Sequence, residues 1–251
     1  MTDALPKALL PVAGETTILD LALHNLAQVG IDQVTVVVGY AADAVRERRE
    51  ALERRHGVRI DLVHNDRAEE WNNAYSLWLA RDRFADGALL INGDTVHPVS
   101  VEETLLRRRG PDLLLAVDDA KPLADEEMKV RFDAAGQLTR IHKSIDPACA
   151  HGEYIGVALI EPPAAAGLAE ALAVTWRRDP HRYYEDGFQE YADRGGSVRG
   201  AAIGTVDWVE VDNPADLARA RQIMAGFAPV GTGVTRATDA EPSGAPGGGH
   251  G

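Results

Sequence analysis

The chain holds a single cysteine, Cys149, among its 251 residues, so no intrachain disulfide can form and a secreted, disulfide-stapled scaffold is excluded. No apolar stretch reaches the length of a membrane span, and the start shows no basic-then-apolar signal pattern. The expected location is cytoplasmic, with no membrane insertion. Cations are in deficit: 26 Lys and Arg stand against 39 Asp and Glu, a formal net charge of −13. That balance argues against nucleic acid or an anionic membrane as a general partner. It does not oppose a nucleotide, because a few lysines and a divalent cation can reverse the field inside a cleft. Eight histidines occur, none at a zinc-site spacing. Glycine-rich phosphate cradles are missing too; Gly195 and Gly196 form a lone pair that reads as a turn.

What is present is an ordinary globular composition, 45% hydrophobic and 26% charged, enough for a sizeable core. Ile18, Leu19, Ala22, Leu23 and Leu26 recur at helical spacing, and Gly30 supplies a stop. A β-branched run from Gln33 to Val38 reads as a strand buried on both faces. A charged helix from near Asp43 to before Gly57, a strand from Val58 to Val63, a helix from Asn72 to Phe84 and a buried strand from Ala88 to Asn92 follow. This alternation predicts an α/β fold, a Rossmann-like open and mostly parallel sheet flanked by helices. Beyond Asp94 the rhythm changes. After a helix around Val101 to Arg108 and a strand from Leu113 to Val117, residues Lys129 to Phe132 and Leu138 to Ile141 flank a short loop as an antiparallel hairpin. With a strand from Glu153 to Ile160, the hairpin is expected as an insertion over the active site, covering one sheet edge. Asn213 and Pro214 open a last helix. Residues 1–225 read as one domain and 226–251 as a disordered Gly, Pro and Ser-rich tail.

Two aspartates, Asp94 and Asp212, each follow an apolar strand-like run more than a hundred residues apart. Ligands of open α/β sheets bind outside the carboxyl ends of strands. Two carboxylates meeting there suit a hard divalent cation that also binds phosphate. Each aspartate also has a bland reading, as the cap of a turn or helix.

The chain resembles the nucleotidyltransferase superfamily that includes sugar-1-phosphate nucleotidylyltransferases, and more narrowly the phosphocholine cytidylyltransferases and their phosphonate-using relatives. The matching segments are Pro6 to Val12, Asn72 to Leu77, Asn92 to Asp94, Glu127 to Val130, Gly152 to Gly156 and Glu210 to Asp212, in the family's order. The resemblance implies transfer of a nucleotidyl group, CMP from CTP favoured, to a small phosphate or phosphonate acceptor such as phosphocholine. Asp94 and Asp212 would hold Mg²⁺, and Lys7 would contact phosphate oxygens. Lys129 and Lys143 would meet the acceptor phosphate from the hairpin. Asn72, Asn73 and Ser76 would face the base, although an asparagine there can also cap its helix. Glu153, Tyr154, Tyr184 and Glu185, with Trp176, Tyr183, Asp186 and Trp208 nearby in character, would receive a cationic acceptor, since ammonium groups are recognised by aromatic faces and carboxylates. A sugar-1-phosphate nucleotidylyltransferase and a non-catalytic nucleotide-binding homologue are the alternatives.

Family members normally carry an apolar strand and a glycine-rich, Arg-containing loop ahead of the Pro-Lys segment, which here begins at Pro6. The expectation is that roughly twenty residues precede Met1 in a complete form, given about 5–6 residues of strand plus a turn. Without them, the strands ending at Val38 and near Asp94 lose a neighbour, CTP binding weakens and the chain becomes aggregation-prone.

Overall fold

The computed structural model describes residues 5–227. The expected tail lies, from residue 228 onward, outside the described residues. A 3-10 turn, Lys7–Leu9, leads into a small ribbon of β1 (Pro11–Ala13) and β2 (Thr16–Thr17). Thr17 then opens α1 (Ile18–Gln28) with a capping box: its hydroxyl accepts from the Asp20 N–H, and the Asp20 carboxylate accepts in return. β3 (Gln33–Val38), α2 (Ala42–His56) and β4 (Arg59–His64) form a βαβ unit whose strands pair in parallel. The helix expected from Asn72 to Phe84 divides into α3 (Asn73–Leu79) and a 3-10 turn, Arg81–Asp86. The Ala80 N–H reaches both the Leu77 and Trp78 carbonyls, so the helix tightens there.

β5 (Ala88–Ile91) and β6 (Thr95–Val96) lead to α4 (Ser100–Arg107) and β7 (Leu113–Asp118). β8 (Lys129–Phe132) and β9 (Leu138–His142) make the expected hairpin. β10 (Gly152–Ile160), α5 (Ala165–Arg178), α6 (Tyr184–Asp193), β11 (Val198–Ala202), β12 (Val209–Glu210) and α7 (Pro214–Gly226) complete the order. Asn213 caps α7 as its sequence suggested.

The large sheet runs β11-β7-β10-β8-β9, with β5 also on β10. Helices cover both of its faces. Alternate residues of β7 serve the two sides: Leu113, Leu115 and Val117 pack with Leu168, Leu172 and Phe188 of α5 and α6, while Leu114 and Ala116 pack with Val101 and Leu105 of α4.

Three expectations about the strands are corrected. β10 is not an edge insertion: all nine residues are buried, with β7 along one edge and β8 followed by β5 along the other. An uninterrupted apolar run of that length needs cover on both faces, and the middle of the sheet provides it. The sheet is mixed rather than mostly parallel, because β10 runs antiparallel to each of its neighbours; only β11·β7 and β3·β4 are parallel among the described residues. β3 is half-buried rather than buried on both faces, for it pairs with β4 alone. β5 pairs with β10 alone, so both strands that were expected to lack a neighbour have one edge without a ladder partner among the described residues.

Beneath β6, a polar cluster joins α1 to α4. The Asn25 side-chain amide donates to the His97 carbonyl at 3.2 Å and to Glu102 Oε1 at 3.3 Å, and His97 Nδ1 lies 3.6 Å from Glu102 Oε2. Burial pushes the Glu102 carboxyl up to about 8 and the His97 imidazole down to about 4, so the pair is neutral at pH 7. A raised carboxyl contributes stability that is complete below the unfolded value near 4.5 and lost as pH rises through about 8. Glu102→Gln keeps the acceptor for Asn25 and removes that loss. Its melting temperature should exceed that of the wild type by a margin that grows from pH 5.5 to pH 8.5, to roughly a few degrees. A constant margin across that range would show that Glu102 is not held neutral.

Candidate active site

The two aspartates are brought together by a short ribbon, not by the ends of neighbouring parallel strands. β6 and β12 pair antiparallel, Glu210 opposite Thr95, and the Val211 N–H donates to the Asp94 carbonyl at 2.9 Å. The turn bearing Asp94 is fixed against β10: the Asn92 N–H donates to the Gly156 carbonyl at 2.9 Å, and Tyr184 Oη donates to Asn92 Oδ1 at 2.7 Å. Gly156 has φ +79°, and a Cβ there would fall 2.5 Å from Asn92 Nδ2. Only glycine allows that approach without displacing Asn92.

Lys7 Nζ sits between the two carboxylates, 3.2 Å from Asp94 Oδ2 and 2.6 Å from Asp212 Oδ1. Partial burial acts to lower its pKa, but the hydrogen bond to Asp212 and the charges of both aspartates outweigh it, leaving it above the ordinary lysine value. A third carboxylate joins them. Oxygens of Asp94, Glu210 and Asp212 lie within 4.8 Å of one another. Glu210 reaches solvent, yet desolvation by the surrounding protein, then repulsion by Asp94 and Asp212, raises its carboxyl to about 7. Three oxygen donors converging on a point where a cation is already favoured form a set suited to a hard divalent ion. Glu210 was not singled out in the sequence, although its spacing from Asp212 places both on one face of an extended segment.

Beside this cluster is a small open pocket of about 90 Å³ lined by Met128, Ile141, His142, Lys143, Tyr183, Glu185 and Asp186. Lys143 Nζ lies 5.6 Å from the centre of the Tyr183 ring, and its charge is felt at Glu210. Glu185 is buried, its Oε2 has no hydrogen-bond partner, and desolvation raises its carboxyl to about 8. Lys143 and Glu185 thus bring a cation and a buried carboxyl to one pocket.

The remaining expected contacts divide. Asn72 caps α3 through the Asn73 N–H and donates to the His181 carbonyl. Asn73 accepts from the Tyr184 N–H at 2.8 Å, and the Ser76 hydroxyl accepts from Asn65 at 2.8 Å. Four others are corrected from ligand contacts to supports. Tyr154 and Tyr184 are buried in the core, hydroxyl to hydroxyl at 3.2 Å. Glu153 is buried in an ion pair with Lys121 at 2.6 Å. Lys129 does not overhang the acceptor. It is fully buried, and its ammonium donates to the carbonyls of Ala124, Asp125 and Glu127 at 3.0, 2.6 and 3.1 Å. A lysine inside the sheet satisfies its charge with the nearest carbonyls, and those belong to the loop ahead of β8.

No family model matches the chain. Among solved structures, the inositol-1-phosphate CTP transferase from T. maritima superposes with a TM-score of 0.72 at 21% identity, over 90% of this chain and 91% of that one. The fold is that of the nucleotidyltransferases. In sequence the chain is 33% identical over 219 residues to the CMP-5'-(3-aminopropyl)phosphonate synthase of Streptomyces rubellomurinus, covering 84% of this chain and 34% of that protein. It is 32% identical over 90 residues to the choline-phosphate cytidylyltransferase of Streptococcus pneumoniae, 36% of each. The chain spans about a third of the length of these curated relatives. The resemblance to nucleotidyltransferases, and among them to cytidylyltransferases, is borne out.

The position of Lys129 has a direct consequence. Lys129→Met should destabilise the fold by about 2–4 kcal/mol, because three carbonyls lose their donor. Denaturant unfolding measures this. A variant as stable as the wild type would mean that the ammonium is not committed to the loop.

Proposed function

We propose that this chain transfers a nucleotidyl group, CMP from CTP, to a small phosphate or phosphonate acceptor and releases pyrophosphate. The observation that carries this reading is the convergence of Lys7, Asp94, Glu210 and Asp212 on one point, beside a pocket with its own lysine and buried carboxylate. An oxygen of the acceptor attacks the α-phosphorus, and the bond to the departing pyrophosphate breaks. Such a reaction needs no protein nucleophile; it needs positioning and the neutralisation of charge building on phosphate oxygens. Asp94 and Asp212, joined by Glu210, would hold Mg²⁺, which supplies that neutralisation. Lys7 is kept protonated by its two aspartates and can turn its ammonium to a phosphate oxygen.

Of the two lysines expected at the acceptor phosphate, Lys143 keeps that part, as its point charge. Glu185 and the exposed Tyr183 ring suit a cationic end of that acceptor, for an ammonium offsets the cost of burying the carboxylate and is attracted by an aromatic face. Phosphocholine or an aminoalkylphosphonate therefore fits better than an uncharged polyol phosphate, and two relatives carry names of that kind. Cytosine as the base rests on the relatives alone.

A screen of CTP and UTP against phosphocholine, aminoethylphosphonate, inositol phosphate and hexose phosphates, read as pyrophosphate release, tests the assignment. The expected optimum is CTP with an ammonium-bearing acceptor. An optimum of UTP with a hexose phosphate would replace it with the sugar-nucleotide reading. Asp94→Asn and Asp212→Asn should each lower turnover by about a hundredfold or more and weaken Mn²⁺ binding, with melting little changed. Near-normal rates in either variant would remove the metal assignment.

A further inference from the structure

The segment 119–128, between β7 and β8, has no helix or strand of its own, yet it is fastened from two sides. Lys129 grips its carbonyls from within the sheet. Lys121 fastens it from outside: its Nζ lies 2.7 Å from Glu127 Oε1, 2.6 Å from Glu153 Oε2 and 4.9 Å from the centre of a Trp208 ring. The base of the segment is held as well. Trp208 Nε1 donates to Asp118 Oδ2 at 2.7 Å, and Asp118 Oδ1 accepts from the N–H groups of Ala120 and Lys121. The other Glu127 oxygen accepts from the Ala124 N–H at 2.8 Å.

Each group that Lys121 touches leads along its own segment towards a different part of the site. Glu127 is followed by Met128, which lines the pocket. Glu153 precedes Tyr154, whose hydroxyl meets that of Tyr184, the neighbour of Glu185. Trp208 lies two residues before Glu210, on the segment that carries the carboxylate cluster. One half-exposed ammonium therefore joins the segment ahead of the pocket residue Met128, the central strand and the segment ahead of β12. We propose that Lys121 is a positioning residue for the acceptor, a latch that holds the segment leading into the pocket residue Met128 at the distance from β12 that a bound acceptor requires. This rests on the reading given under Proposed function.

The physical basis is the cost of leaving Glu153 alone. Its side chain is 7% exposed, and a buried carboxylate without its cation is strongly unfavourable. Burial raises the Glu153 carboxyl to about 7 in spite of Lys121, so the ion pair is all that favours the charged form against desolvation and the nearby Glu127 and Glu210. Once the ammonium is removed, Glu153 takes up a proton, Glu127 loses its tether, and the segment is held only towards its ends, by Asp118 at one and by Lys129 and the Tyr154 N–H, which donates to the Met128 carbonyl at 2.8 Å, at the other.

Lys121→Met and Lys121→Arg, compared with the wild-type chain, test the proposal through two readouts. Hydrogen exchange over 119–128 does not depend on activity; steady-state kinetics with CTP and the best acceptor does. In Lys121→Met the segment should exchange faster while β10 is unchanged. The acceptor KM should rise about tenfold, with the CTP KM and kcat within about twofold, and Arg should restore most of the loss. Unchanged exchange would overturn the latch. Faster exchange with an unmoved acceptor KM, or equal losses for both substrates, would overturn the positioning role. A wild-type chain with no transfer to any acceptor would overturn the functional reading, and this proposal with it, before any variant is compared.

Discussion

The site depends on holding three carboxylates close together. Oxygens of Asp94, Glu210 and Asp212 within 4.8 Å of one another repel, and the raised carboxyl of Glu210 records desolvation first and that repulsion second. The fold accepts the arrangement because Lys7 places a positive charge between two of them, from 87 and 205 residues away in sequence. Much of the surrounding structure serves that meeting. The β6·β12 ribbon sets the spacing, Gly156 admits Asn92, and the buried Tyr184 fixes Asn92 from behind. A cluster of like charges with one lysine in its midst has little value for stability, since exposed ion pairs contribute little. Under the proposed function its value lies in binding a cation and the phosphates that accompany one.

The sequence carried the elements better than their neighbours. Periodicity located α1, α2, β7, the β8·β9 hairpin and the capped start of α7 to within a residue or two, because each is written in local spacing. Pairing is a non-local property, and there the reading went astray. β10 looked like cover for an edge, and its uninterrupted apolar run was the sign that it lay inside. Asp94, Asp212 and Lys7 were legible as a group only through their motif context. Glu210 had a signal in its spacing from Asp212. Lys129 had none, since a strand lysine that points inward to loop carbonyls has the same sequence as one that points out.

Lysines divide the labour around the site in a way that composition hides. In a chain with a net charge of −13, Lys7 serves the carboxylate cluster and Lys143 the pocket. Lys129 and Lys121 secure the segment between them, one through backbone carbonyls and one through buried Glu153. The buried acids follow the same division. Glu153 is matched by a cation of the chain itself, whereas Glu185 has an unpartnered oxygen at the pocket and is suited to a cation from outside. This contrast is what supports a positively charged acceptor in the proposed function.

The most direct test of the account is to follow CTP, Mg²⁺ and phosphocholine or aminoethylphosphonate by ³¹P nuclear magnetic resonance in the presence of the protein. The account predicts two coupled signals of a new phosphoanhydride that joins CMP to the acceptor, appearing in step with an equal amount of pyrophosphate. Unchanged CTP, or CMP and pyrophosphate formed without the coupled product, would contradict it.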